Sequence, residues 1–368
     1  MSGGIAVAML LSSTNRPTAN PSGLRLDSRP MEHHDPNGGF RNPWPGAEAK
    51  GYRDLFRWFL ARNTTHRPAA DPPRGSFPSA TPKFGQVGRK GALAVTWFGH
   101  SSALIEFPGC TVLTDPVWGS HAAPVPLPRL RRFMRPPVPL GALPAIDIVL
   151  LSHNHYDHLD SGTVRSLARL HPRAVWCVPL GLRPLLRQLG VQVVEECDWW
   201  GTLHAAGATM GCTPAQHFTA RGFHDRNQTL WCGWTVRVGD RAAFFAGDTG
   251  LHPVFGEIGQ RFGPFDVVLL PIGAYAPRWF MQNMHMNPED ALEAYAALLG
   301  AAASQRLAAG ASHSIRPPAV VPIHWGTFKL TDEALDEPPK RFRALWEKIG
   351  YSPDALWLLA HGETRLLG

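Results

Sequence analysis

Several things are scarce in this 368-residue chain, and each scarcity narrows what the chain can be. It has five cysteines, at positions 110, 177, 197, 212 and 232, and no C-x-x-C pair. An odd, scattered set excludes a disulfide scaffold and points to buried thiols in a reducing, cytoplasmic compartment. No apolar run is long enough to cross a bilayer. The run near the N-terminus, "IAVAMLL", is short and has no basic residue before it, so a signal peptide is not expected. Internal repeats are lacking, and the low-complexity stretch is the Ala-rich "AAASQRLAAGASHSIRPP". Charged residues make up 18% against 44% hydrophobic, which leaves material for a large core.

What is abundant is equally informative. The 36 glycines and 35 prolines imply many turns, and 13 tryptophans are an unusual number. The formal charge of +7 favours an anionic partner, a phosphate ester or an anionic membrane surface, although a simply soluble basic surface fits as well. No nucleic-acid partner is expected. Residues 1–90 are rich in Pro, Gly, Asn and Arg and read as an extended arm wrapping the main domain, its first thirty or so residues mobile. Within it, "YRDLFRWFLARN" has helical spacing at Leu55, Trp58, Phe59 and Leu60.

From residue 91 the texture changes to alternating strands and helices. "LAVTWFGHSSALIEF" and "CTVLTDPVWG" read as two strands joined at "PGC", and "AIDIVLLSH" as a strand covered on both faces. "SGTVRSLARLHP" reads as a helix with Leu167 and Leu170 on one face. "LWCGWTVRVGDRAAFFAGDTG" is a hairpin turning at "GD". "NPEDALEAYAALLG" is a helix capped by Asn287, with Pro288 in its first turn and Gly300 at its end. Strands, then mixed α/β, then strands, then α/β again predict two mixed sheets packed face to face with helices outside, a four-layer αββα sandwich.

The stretch "LLSHNHYDHLD" crowds ligating groups directly after an apolar strand. His153 and His155 are two apart and point the same way in extended chain, so they can share one metal. Asp157 and His158 follow as the chain turns and can reach a second ion beside the first; paired ions in hydrolases sit roughly 3.5–4 Å apart. Four ligands do not fill two sites. His217 in "TPAQH", Asp248 in "FFAGDTG" and His324 in "VPIHWG", each at a strand end, complete the count.

This constellation resembles the metallo-β-lactamase superfamily, with its His-x-His-x-Asp-His motif on an αββα sandwich. Over about residues 36–368 the blocks "FRNPWPG", "LTDPVWG", "IDIVLLSHNHYDHLD", "FFAGDTG", "RFGPFDVVLLPIGAYAPRWF" and "IHWGTF" are similar to N-acyl-phosphatidylethanolamine phospholipase D and its bacterial relatives. The resemblance implies two zinc ions, one held by His153, His155 and His217, the other by Asp157, His158 and His324, with Asp248 between them. Imidazole and carboxylate without thiolate suit zinc, and manganese or iron would also fit. It implies phosphodiester hydrolysis releasing an N-acylethanolamine and phosphatidic acid. Catalytic roles fall to Asp157, Asp248 and His285, the last in "NMHMNPED". The chain departs from the animal enzymes at Met284, where they carry Gln. Asp115 and His100 are expected to brace ligands from behind or to fix loops. Tyr275, Arg278 and Trp279, with Met284, are candidates for lipid contact, though core packing explains such aromatics equally well. Arg129, Arg131, Arg132 and Arg135 could meet anionic head groups at a peripheral membrane contact, or form a solvated basic loop. A homodimer is compatible with the sequence. A lactonase or nuclease on the same scaffold, or a zinc-stabilised binding protein without activity, are the alternatives.

Overall fold

The structure, a computed structural model, describes residues 32–64, 68–87, 92–222, 224–300, 303–304 and 317–368. The expected mobile start of the arm and most of the Ala-rich segment after Gly300 lie outside the described residues. Among the described residues the elements run α1 (Tyr52–Thr64), β1 (Leu93–Gly99), β2 (Ser102–Phe107), β3 (Cys110–Thr114), β4 (Ile148–Leu150), α2 (Ser161–Leu170), β5 (Val175–Pro179), α3 (Arg183–Gln188), β6 (Val193–Cys197), β7 (Thr202–Ala205), β8 (Ala208–Thr213), β9 (Gly233–Val238), β10 (Arg241–Phe245), α4 (Phe255–Phe262), β11 (Val267–Pro271), α5 (Arg278–Met281), α6 (Pro288–Leu299), β12 (Ala319–Ile323), α7 (Glu337–Ile349) and β13 (Thr364–Leu367).

They form two mixed sheets, in the orders β13-β1-β2-β3-β4-β5-β6 and β12-β11-β10-β9-β8-β7. Strands β3 to β6 pair in parallel, as do β10 to β12, and the remaining pairs are antiparallel. Alternation along each strand explains why these segments are apolar throughout. Trp97, Ile105, Ile148, Leu150 and Cys177 belong to the core between the sheets. Their neighbours Phe98, Leu104, Val149, Trp176 and Val178 face outward into a second core closed by Val164 and Leu167 of α2 and Leu186 of α3. On the other flank Phe255 and Ile258 of α4, Tyr295 of α6 and Trp346 of α7 cover the second sheet. The four-layer αββα sandwich is therefore present, and α6 starts with the capping box of Asn287 and Asp290.

Three local expectations change. "LAVTWFGHSSALIEF" is a tight hairpin of two strands, because Gly99 (φ 109°) and His100 (φ 54°) reverse the chain. Leu170 is 49% exposed while Leu167 is buried; at 100° per residue Leu170 sits about 120° round the helix from Val164. Among the described side chains of α1 only Trp58 is buried, against Phe280, Met281 and Met284, with its indole N–H donating to Asp332 at 2.6 Å. Leu55, Phe59 and Leu60 stay exposed because the helix touches the domain along one edge.

The tryptophans hold the loops at the strand ends. Buried indole N–H groups donate from Trp97 to the His100 carbonyl (2.9 Å), from Trp234 to Leu151 (2.8 Å) and from Trp231 to Ala215 (2.9 Å). Each fills core volume with its ring and satisfies a buried carbonyl with its N–H, a bond worth about 0.5–1.5 kcal/mol net. The arm is fastened to the same region. Asn42 donates to the His217 carbonyl at 2.9 Å and accepts the His217 N–H at 3.2 Å. Arg62 pairs with Asp332 at 2.7 Å, and Lys329 with Asp71 at 2.7 Å.

Candidate metal centre

Six chain segments deliver polar groups to one end of the two sheets, each just past a strand end: His100 after β1, Asp115 after β3, His153 to His158 after β4, His217 after β8, Asp248 after β10 and His324 after β12. Strand ends are rigid supports, and the loops that follow can turn side chains toward a common point. Gly247 shows how tightly this is built. Its φ is +62°, and a Cβ there would meet the Ser152 Cβ at 2.5 Å, so the residue before Asp248 has to be glycine.

The seven presumptive ligands come together in the interior. His153 Nε2 lies 2.8 Å from His155 Nδ1, and His217 Nε2 3.2 Å from the same atom. His158 Nε2 and His324 Nε2 each lie 3.1 Å from Asp248 Oδ2, and 3.5 and 3.6 Å from Asp157 Oδ2. Asp248 Oδ2 is also 4.0 Å from His153 Nε2 and 3.9 Å from His217 Nε2, so one oxygen touches both halves of the cluster.

A surrounding layer fixes the orientation of these groups. Asp115 accepts from the Ser152 N–H (2.7 Å) and hydroxyl (2.5 Å), and its Oδ2 lies 2.6 Å from His158 Nδ1. The Ser152 hydroxyl also reaches His153 Nδ1 at 2.8 Å. His217 Nδ1 donates to the Met284 carbonyl at 2.9 Å. His100 Nε2 lies 2.9 Å from Asp157 Oδ2. Such contacts set the tautomer of a ligand histidine and aim its other nitrogen inward. His100, Asp115 and His324 have φ of 54°, 29° and 63°, a left-handed backbone that costs about 1–3 kcal/mol each and persists where neighbours enforce it.

The electrostatics divide the cluster in two. Burial opposes charge at every group. At His153 and His155 it wins, helped by neighbouring imidazoles, and these rings stay neutral, His155 being pushed down to about 3. Burial likewise outweighs Asp248 at His217, which falls to about 4. At His324 burial is overcome by Asp248 and Asp157, which push it up to about 9, and His158 is raised well above its ordinary value by Asp248, Asp157 and Asp115. Burial would also raise Asp157 and Asp248, but His158 and its neighbours hold both carboxyls ionised. The pocket therefore demands positive charge around two buried carboxylates. Asp248 Oδ1 and His285 Nδ1 are buried without a hydrogen-bond partner, and the inward nitrogens of His158 and His324 make no aligned bond despite their proximity to Asp248. Unpaired buried lone pairs cost about 1–3 kcal/mol each. Divalent cations between these groups would remove that cost, and the donor set, five imidazoles and two carboxylates, fits zinc-class ions.

Above the cluster lies a cavity of about 290 Å³. His155, Asp157, Asp248 and His285 form its floor, Leu55, Trp58, Phe218, Phe280, Met281 and Met284 its apolar walls, and Lys50 and Arg226 its cationic lining. Met284 thus meets the cavity with its side chain and braces His217 with its carbonyl. The other expected lipid contacts do not line this cavity. Arg278 is neutralised by Asp290 at 2.6 Å and donates to the His285 carbonyl at 2.9 Å. Tyr275 is buried, with its hydroxyl donating to Glu337 at 2.7 Å. Trp279 is on the surface beside Arg57. Sequence reasoning missed Asn42, Ser152, Phe218 and the wall from α1; "FRNPWPG" was a visible block, but nothing in it announced a partner 175 residues away.

Asp115→Asn keeps every inward-facing ligand but weakens the brace on His158 and Ser152. It is expected to lower zinc affinity about 10–100-fold, read by competition with a chromophoric chelator, with the circular dichroism spectrum retained.

Comparison with known proteins agrees with the geometry. A family profile described as "Beta-lactamase superfamily domain" matches residues 111–325. An uncharacterized protein of Mycobacterium tuberculosis is 40% identical over 339 residues, covering 89% of this chain and 85% of its own. The N-acyl-phosphatidylethanolamine-hydrolyzing phospholipase D 1 of Caenorhabditis elegans is 36% identical over 69% of this chain and 70% of its own length. Among solved structures, a metallo hydrolase from Ignicoccus hospitalis superposes with a TM-score of 0.52 at 24% identity, over 75% of this chain and 99% of that one. An isothiocyanate hydrolase from Delia radicum gut bacteria superposes with a TM-score of 0.55 at 21% identity, over 74% and 98%. By sequence family and by fold, the chain belongs with the metal-dependent hydrolases of the β-lactamase superfamily.

Proposed function

We propose that the protein is a dinuclear zinc phosphodiesterase that hydrolyses N-acyl-phosphatidylethanolamine to N-acylethanolamine and phosphatidic acid. The observation that carries this reading is the cavity: an apolar chamber with two cationic side chains that ends on a buried cluster demanding positive charge. Such a chamber suits an anionic group attached to acyl chains, and the similarity to the phospholipase of Caenorhabditis elegans supports the same substrate.

When bound, the two ions supply Lewis-acid activation of water and neutralise charge on the phosphoryl oxygens. The chain's own groups do the rest. His153, His155 and His217 would hold one ion, Asp157, His158 and His324 the other, and Asp248, whose Oδ2 touches both halves, would lie between them and orient the water. His100 braces Asp157. His285 lines the cavity with Nδ1 3.8 Å from Asp248 Oδ2; burial, only partly offset by Asp248, keeps its ring neutral, so it would orient the leaving oxygen by a hydrogen bond without carrying charge. In the net reaction the water oxygen ends on phosphorus, the bond from phosphorus to the ethanolamide oxygen breaks, and that oxygen leaves protonated. Lys50 and Arg226 line the cavity and would meet the phosphate there. Met284 gives the wall beside His217 an apolar face.

The cavity wall continues into a surface suited to a bilayer. On α1, Leu55 and Phe56 are 44% and 64% exposed, flanked by Arg53 and Arg57. Arg57 stacks on the exposed Trp279, and Arg129 lies over Phe59, bringing the loop that bears the exposed Leu127 alongside. Apolar side chains interleaved with arginines fit the interface of an anionic membrane, with the cavity opening beside them.

Two experiments test this reading. Metal-loaded protein incubated with N-acyl-phosphatidylethanolamine and with a panel of acyl lactones should yield N-acylethanolamine and phosphatidic acid by mass spectrometry, and neither product after chelation or in Asp157→Asn; lactone turnover with inert phospholipid would overturn the substrate assignment. Phe56→Ser should reduce partition into vesicles of phosphatidylglycerol and phosphatidylethanolamine about tenfold. Hydrolysis of a short-chain monomeric substrate should be unchanged; equal partition would contradict the membrane contact.

A further inference from the structure

A second cluster of ligating groups lies outside the catalytic centre, where the arm enters the described structure. His33 Nε2 is 2.7 Å from Asp198 Oδ1, and His34 Nε2 is 2.8 Å from Asp198 Oδ2. One ligand atom from each residue lies within 4.8 Å of the other two. Consecutive residues of an extended chain point to opposite sides. Here a turn overrides that: His34 bridges to Phe40, the Arg41 N–H donates to the His33 carbonyl at 2.8 Å, and the Asp35 N–H to Gly39 at 3.0 Å. Both imidazoles are thereby brought to one carboxylate.

The rings are held in place by aromatic contacts. His33 stacks on Trp199, with centroids 4.3 Å apart and planes 18° from parallel, and His34 meets Phe40 edge-on at 5.1 Å. Asp198 is fixed by the Trp199 N–H, which donates to Oδ1 at 2.8 Å. Burial alone would raise the Asp198 carboxyl, but the contacts from His33 and His34 outweigh it and keep the group ionised.

We propose that His33, His34 and Asp198 form a separate divalent-metal site of the zinc class that fastens the arm to the loop after β6. Two imidazoles and one carboxylate are a set that zinc accepts, with the remaining position left to water. The side chains of His34 and Asp198 are 35% and 24% exposed, which gives an ion a way in. The spacing matches that of the catalytic cluster, where His155 Nδ1 lies 2.8 and 3.2 Å from the nitrogens of His153 and His217. The fastening has a consequence for the hydrolytic centre. Downstream of it the arm supplies Asn42, which clamps the His217 backbone, and then Lys50, Leu55 and Trp58 of the cavity. An ion at His33 and His34 orders the beginning of the segment that closes over the catalytic ligands. The site is independent of the substrate assigned above.

The alternative arrangement, two imidazoles donating to one carboxylate with no ion, makes the opposite prediction for metal content. Full-length protein is loaded with zinc, passed through gel filtration to remove excess, and counted by plasma mass spectrometry. Asp198→Asn and His34→Gln should each hold one zinc fewer per chain than the parent. Hydrogen exchange across Phe40–Trp44 should speed up in both variants, and in the parent only after chelation. The zinc retained at the catalytic centre reports that a variant has folded; should Asp198→Asn not fold, His34→Gln, at the more exposed position, decides. Equal zinc counts in parent and folded variant would overturn the site.

Discussion

Everything around the centre follows from burying the Asp248 carboxylate among imidazoles. Its Oδ2 is 3.1 Å from His158 and from His324, and about 4 Å from His153 and His217. An ionised carboxylate taken out of water costs several kcal/mol unless positive charge surrounds it. Asp157 adds a second such demand in the same space. Divalent cations held there would answer both at once, and the nitrogens that would share them already point inward.

That arrangement holds only if each ligand is prevented from turning away, and the fold commits much of its architecture to this. Asp115 and Ser152 brace His158 and His153, the Met284 carbonyl braces His217, and Asn42 clamps the backbone of His217 from the arm. Buried tryptophans tie the carbonyls of His100, Leu151 and Ala215. Left-handed backbone at His100, Asp115 and His324 stores strain where the chain must turn sharply into the site. Strain of this kind is expected at functional positions, where local preference yields to geometry.

Much of this was readable from the chain itself. The side chains that converge could be named because histidine and aspartate at strand ends form a pattern whose chemistry is local: His153 and His155 share a direction by the strand period alone. The sandwich was legible because strands buried on both faces are apolar throughout, as Ile148 to Leu151 show. What stayed hidden depends on contacts between distant segments. Nothing in the order of residues reveals that Asp290 neutralises Arg278, or that Arg226 and Lys50 line the cavity in its place. The turn at Gly99 and His100 was hidden for another reason: a non-glycine residue with φ of 54° gives no compositional sign.

The arm connects these observations, since it supplies one cavity wall, the clamp on His217 and the exposed face of α1. The central claim, that two ions share Asp248, is tested most directly by crystallography of zinc-loaded protein with anomalous data at the zinc edge. The account predicts two peaks in this centre, about 3.5–4 Å apart, one among His153, His155 and His217 and the other among Asp157, His158 and His324, both against Asp248 Oδ2. A single peak, or two peaks without Asp248 between them, would contradict it.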